Sequence, residues 1–221
     1  MNMDQWIRLP TGWIRENRLT ELKWHEQGSD ATSALMALTA IAHHAESDSG
    51  VAYATYDVMQ DATGISRSKL SAGLGLLRQL EVISCDGLSR SRYRLIGYSP
   101  AGGWAMFPAG PMYRTFGVIE AFRDFKLRQR AELDALKIYF LLIALRDRHS
   151  NLAHISYPKI EERSGVRTNF IKPALSLLSV IRLAYVEPQP RGPGEIGFSN
   201  AYRIANVESR KHAGTNLRAA L

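Results

Sequence analysis

Apolar residues recur at helical spacing between Ser33 and Ala45, where Leu35, Leu38, Ile41 and Ala42 share one stripe, and this period predicts a helix. The turn-forming run Ser47-Asp48-Ser49-Gly50 closes it, and a short extended segment, Val51 to Ala54, follows. Thr55 stands where an N-cap would serve the free amides of a second helix running to about Ala62. Gly64 supplies the residue able to take positive φ, and Ser66 is placed to cap a third helix over Arg67 to Leu80. In that third helix Leu70, Leu74 and Leu77 form the stripe to be buried. Val82-Ile83-Ser84 then reads as a strand, Asp86 to Arg90 as a turn, and Ser91 to Ile96 as the returning strand.

The same plan occurs twice. Thr55 to Ile65 overlies Ser156 to Val166 at a constant offset of 101, as 157 less 56 gives for the two tyrosines. Leu70, Leu74, Leu76 and Leu77 fall on Ile171, Leu175, Leu177 and Leu178 without a gap, and upstream Leu35, Leu38 and Ile41 fall on Leu136, Tyr139 and Leu142. Downstream, Tyr93-Arg94-Leu95 matches Tyr202-Arg203-Ile204 at an offset of 109, which places an insertion between the last two strands. The second copy therefore predicts helices over Glu132 to His149, Ser156 to Arg163 and Thr168 to Arg182, then strands near Ala184 to Val186 and Ala201 to Ala205. Its loop, Pro188 to Asn200, carries three prolines and three glycines.

These boundaries divide the chain into an N-terminal packing segment (1–30), a first unit (31–98), a linker with a connecting helix (99–131), a second unit (132–205) and a basic tail (206–221). The connecting helix is expected over Phe116 to Arg130 from the spacing of Val118, Ile119, Phe122 and Phe125. All four tryptophans, Trp6, Trp13, Trp24 and Trp104, fall in the N-terminal segment and the linker, so these segments are expected to pack onto the units or onto a second subunit.

Composition narrows the function. The net charge is +7 and the pI near 9.7, which suits a polyanionic partner. Within 31–98 every basic residue, from Arg67 to Arg94, lies at or beyond position 67, so acidic and basic halves are segregated. The single Cys85 cannot form an internal disulfide and reads as a small buried hydrophobe. The most apolar run, Ile138 to Leu145, is about half what a bilayer span requires. With no secretory start at Met1 to Pro10, the expectation is a cytoplasmic protein that makes no membrane contact. His43 and His44 are adjacent and cannot share a helix face, so no metal site is expected; Pro190 to Gly194 does not open a helix as a phosphate loop must. Neither a cofactor nor a catalytic constellation suggests itself, and the chain is read as a binding protein rather than an enzyme.

The order helix, helix-turn-helix, two-stranded hairpin, with Thr55-Tyr56 and Ala62-Thr63-Gly64-Ile65-Ser66 followed by Tyr93-Arg94-Leu95, resembles the bacterial winged-helix superfamily. Two such units in one chain are similar in layout to plasmid and phage replication initiators, and each unit resembles regulators of the multiple-antibiotic-resistance type. The resemblance covers about two thirds of the chain. It implies a mainly α fold with small β-hairpin wings (α+β), two tandem winged-helix domains, and double-stranded DNA as the partner.

The helix starting at Arg67 would then read the major groove with Ser66, Arg67, Ser68, Lys69, Ser71 and Arg78 on its open face, since arginine forks to guanine and serine serves base or phosphate. Gly73 and Gly75 favour close approach, to DNA or to a packed helix, over helix strength. Arg90, Arg92 and Arg94 alternate along one strand, so they leave on one face, suited to phosphates; the competing reading is a charged edge strand that discourages aggregation. In the second unit Arg167, Thr168, Asn169 and Lys172 occupy the corresponding face, with Arg191 in the loop, while Pro173 disturbs the helix and Phe170 is a candidate exposed ring. The role expected is a sequence-specific transcriptional regulator in the bacterial cytoplasm, bound to the nucleoid, with both units or a homodimer spanning adjacent grooves. A replication initiator of a mobile element and a winged-helix protein-interaction scaffold are the alternatives.

Overall fold

A computed structural model describes residues 4–85, 91–114, 117–190 and 198–207. The first half contains strand β1 (Trp6–Pro10), short helices α1 (Gly12–Arg15) and α2 (Trp24–Gln27), α3 (Ser29–His43), β2 (Val51–Tyr53), α4 (Tyr56–Thr63), α5 (Arg67–Gln79), β3 (Ile83–Cys85) and β4 (Arg92–Leu95). The second contains β5 (Trp104–Pro108), α6 (Arg130–Leu145), β6 (Leu152–His154), α7 (Tyr157–Ser164), α8 (Thr168–Val180), β7 (Ala184–Pro190) and β8 (Phe198–Ile204). The fold is mixed α and β with small antiparallel sheets: a three-stranded sheet in the order β2-β4-β3, another in the order β6-β8-β7, and a two-stranded ribbon of β1 and β5.

Local chemistry sets the helix ends. The Thr55 side chain accepts a bond from the Val58 amide at 3.2 Å and starts α4, which Gly64 ends in the left-handed region at φ 71°. Ser66 caps α5 by accepting from the Lys69 amide at 3.4 Å. Gly165 repeats the role of Gly64 at φ 70°.

Helices α3 and α6 are buried on every side from Ala31 to His43 and from Glu132 to Ala144. They pack on each other, on α5 and α8 respectively, and under the ribbon, which is why they read as apolar all round rather than as striped surface helices. One continuous core runs through both halves. Three ionisable side chains of α6 are enclosed in it. Lys137 Nζ donates to the Leu22 carbonyl at 2.6 Å, Asp134 accepts from Arg130 at 3.0 Å, and Glu132 accepts from the Lys126 amide at 2.8 Å. Burial pushes the Lys137 ammonium down to about 8, against the pull of Asp134. His43, at the end of α3, bonds the Tyr113 hydroxyl at 3.0 Å, and burial pushes it down to about 3.

Three expectations need correction. Residues 117–129 form no α-helix: a single 3-10 turn, Glu120–Phe122, is followed by irregular chain up to Gln129, and α6 starts at Arg130. Gly117 and Leu127 both take left-handed φ, 76° and 57°, and these interrupt the helical spacing of the apolar residues. Helix α6 stops at Leu145 and does not reach His149. Asp147 accepts from the His149 and Ser150 amides in a side-chain turn, and Asn151 turns left-handed at φ 59°. Cys85 lies exposed at the end of β3 instead of being buried. Trp13 is buried, whereas Trp6 and Trp104 stack on each other over the ribbon with ring centres 6.1 Å apart. No helix among the described residues is long and apolar enough to cross a membrane.

Candidate nucleic-acid interface

Helix α5 buries Leu70, Leu74 and Leu77 and leaves Arg67, Ser68, Ser71 and Arg78 exposed, with Ser66 exposed at its cap. Its first turn carries no acidic residue, so no carboxylate of its own helix opposes the positive end of the helix dipole. Arg67 is two-thirds exposed, its guanidinium 3.3 Å from Asp57 and 5.7 Å from the centre of the Tyr56 ring. Lys69 is turned back: its ammonium sits 2.7 Å from Asp30 at the start of α3. The Arg67–Asp57 pair is solvent-exposed and the Lys69–Asp30 pair partly buried; exposed pairs contribute on the order of 0–1 kcal/mol, so Arg67 is only loosely held.

The two glycines of α5 separate by role. A Cβ on Gly73 would lie 2.7 Å from the Ala34 amide nitrogen and 2.8 Å from the Ser33 carbonyl carbon, so Gly73 permits the close crossing of α5 and α3. Gly75 would meet nothing within 4 Å.

On β4, Tyr93 and Leu95 point into the core while Arg94 is exposed and Arg92 half-buried on the other face. Strand β4 is the centre of its sheet, with β2 on one side and β3 on the other. The arginines therefore do not guard an edge. Arg92 stands over the Tyr53 ring at 5.9 Å, and Tyr53 on the neighbouring strand is itself exposed. Burial pushes the Tyr93 phenol up to about 12, with Tyr56 and Cys85 adding to the rise and Arg78 opposing it. Arg90 lies outside the described residues.

The second unit places equivalent residues differently. Arg167, Asn169 and Lys172 are exposed at the start of α8. Thr168 is exposed too, but Glu161 accepts from both its amide, at 2.8 Å, and its hydroxyl, and those bonds hold the Glu161 carboxyl below its usual range. A carboxylate thus occupies the position that Gln60 fills in the first unit, at the offset of 101. Phe170 is half-buried beneath Arg130, whose guanidinium stands 4.0 Å over the ring. Helix α8 starts at Thr168 and runs through Pro173 to Val180. On β8, Ala201 and Arg203 stand where the first unit has Arg92 and Arg94, and Arg203 is held by Glu187 through bonds of 2.6 and 3.0 Å. Arg191 lies outside the described residues.

Sequence reasoning missed Asp30, Asp57, Tyr53, Glu161 and Glu187, which set how available each cation is. Strand alternation carried a signal for Glu187, which is paired with Ala201 and shares the face of Arg203; the contact of Lys69 with Asp30 is tertiary and left none. No family model, no curated protein and no solved structure matches the chain.

Proposed function

We propose that the chain is a sequence-specific double-stranded DNA-binding protein, that its two units are winged-helix domains, and that it acts as a transcriptional regulator. The observation that carries the reading is the joint exposure, within one unit, of Arg67 and Arg78 on α5 and of Arg94 beside Arg92 on the outer face of β4. A helix that buries a leucine stripe and opens a basic N-terminal turn with no carboxylate of its own suits a major groove, and paired arginines on an adjoining sheet suit phosphates. Small side chains, Ser68 and Ser71, flank the helix arginines and leave room for base edges. The second unit contributes Arg167, Asn169 and Lys172, with asparagine suited to adenine.

A basic pair on each element predicts separable effects. Arg67→Ala weakens the selected sequence by about 1–3 kcal/mol with little change on random duplex. Arg94→Ala weakens all sequences alike and lowers the salt slope by roughly one. Anisotropy titrations over a salt series measure both, and wild-type affinity and slope in both variants would overturn the assignment. The shared core of the two units favours a second reading, a replication initiator of a plasmid or phage-like element, in which joined units grip repeated origin sites. Protection of an array of repeats in its own locus selects that reading, and protection of one promoter site selects the regulator. Failure to bind any duplex leaves the protein-interaction scaffold.

A further inference from the structure

The two halves meet through equivalent parts. Strands β1 and β5 share the pattern Trp-x-x-apolar-Pro-x-Gly: Trp6, Leu9, Pro10 and Gly12 match Trp104, Phe107, Pro108 and Gly110 at an offset of 98. They pair antiparallel with Trp6 opposite Pro108 and Pro10 opposite Trp104. Each residue is thus opposite the counterpart of the residue its own counterpart faces, and Arg8 lies opposite Met106, its own equivalent. The same reciprocity recurs away from the ribbon. Helix α3 packs on α6, its equivalent. Arg15, following β1, donates to the Ala144 carbonyl at the end of α6 at 2.7 Å, while Tyr113, the counterpart of Arg15, bonds His43 at 3.0 Å at the end of α3, where His43 is the counterpart of Ala144. The 3-10 turn before α3, Arg18–Glu21, packs on α7 of the other unit, with Thr20 against Gly165. The turn before α6 returns the contact: the Ile119 amide donates to Ala62 at the end of α4, at 2.9 Å.

Contacts in which i meets j and the equivalent of j meets the equivalent of i are the mark of a two-fold interface. We infer that the chain is a covalent pseudo-dimer, and that one copy reads an imperfect inverted repeat, a strong half-site under α5 and a weak one under α8. This rests on the DNA-binding reading above. A two-fold between reading helices matches the two-fold of duplex DNA, so half-sites are inverted and spaced by whole helical turns, about 10–10.5 base pairs or a multiple. The inequality follows from the substitutions between halves. Lys69 is replaced by Phe170, Gln60 by Glu161 and Arg92 by Ala201, and Arg203 is neutralised by Glu187 where Arg94 is exposed.

The test begins with the full-length protein and a pool of random duplexes. Bound fragments are sequenced, and the recovered site is rebuilt as the inverted repeat, as a direct repeat, with either half scrambled, and as random duplex. Affinity is read by anisotropy and stoichiometry by native mass spectrometry. The expected result is a 1:1 complex on the inverted repeat, at least about tenfold weaker binding to the direct repeat, and a larger loss from scrambling the α5 half than the α8 half. Arg67→Ala is expected to abolish the penalty for scrambling one half, and Asn169→Ala the penalty for scrambling the other, each a change of roughly 5- to 150-fold for a lost base contact. Two copies per inverted repeat, or equal affinity for direct and inverted forms, overturns the pseudo-dimer inference while leaving DNA recognition standing. Binding to every form no tighter than to random duplex overturns the DNA-reading function itself, and the inference with it.

Discussion

Replacing Gly73 by alanine puts a methyl group where two backbone atoms of α3 already lie, 2.7 Å from Ala34 N and 2.8 Å from Ser33 C. Neither atom belongs to a flexible side chain, so α5 must move away from α3 along its most extensive packing surface. Overpacking of this kind costs typically 1–3 kcal/mol, and the better helix propensity of alanine returns about 1 kcal/mol. Gly75, two residues on in the same helix, has open space around its Cα, so Gly75→Ala collects the propensity gain alone, about 0.5–1 kcal/mol. For a chain of this size 1 kcal/mol moves the melting temperature by roughly 2–4 °C. The net cost of about 0–2 kcal/mol means that calorimetry should find Gly73→Ala melting up to about 8 °C below wild type, and Gly75→Ala a few degrees above it. A Gly73→Ala protein as stable as Gly75→Ala would refute the packing of α5 on α3, and with it the orientation of the candidate reading face.

Lys137 is charged in the unfolded chain up to about 10.5 but only to about 8 when folded, so the unfolded state holds the extra proton between those values and stability rises with pH there. Denaturant titrations at about pH 7.5 and 9.5 should show wild type gaining roughly 1–2 kcal/mol relative to Lys137→Met, and parallel behaviour of the two proteins would refute the burial of that ammonium. His43 works in the acid range: its folded value near 3 lies below the ordinary 6.5, so the stability it confers is present above 6.5 and is lost as pH falls toward 3. His43→Gln should flatten that decline in melts between about pH 6.5 and 5, and an unchanged slope would argue against the buried neutral ring. Glu187→Gln releases Arg203 on the outer face of β8, and the log–log salt slope of DNA binding should steepen by about one; an unchanged slope would place that face away from the duplex.

Much of each unit was legible because it is built from local rules. Thr55, Gly64 and Ser66 declare their caps and turn, and the leucines of α5 declare their stripe, since each signal lies within one turn of the residues it governs. The alternation of Arg92 and Arg94 with Tyr93 and Leu95 gave the two faces of β4, although its central place in the sheet depends on β2, some forty residues earlier. What escaped was the joining of the halves. The ribbon pairs strands about a hundred residues apart, and its Trp-x-x-apolar-Pro pattern lies at an offset of 98, out of phase with the 101 of the main repeat. A segment read as a linker therefore became core. The spacing imitates a helix because Ile119, Phe122 and Phe125 pack as a 3-10 turn and irregular chain against the same core, a burial demand that spacing alone cannot tell from helical burial.

Cys85 allows the central claim to be measured directly. It is the one cysteine of the sequence, is exposed, and follows Ser84, the residue opposite Arg94 in the sheet. An iron chelate tethered to its thiol generates radicals that cut DNA only within reach of the tether. With a duplex carrying the selected site, the expected result is cleavage confined to a few nucleotides beside one half-site and abolished by Arg67→Ala. Cleavage no greater than that of free chelate, with the protein demonstrably bound, would contradict the placement of the α5 and β4 face on DNA.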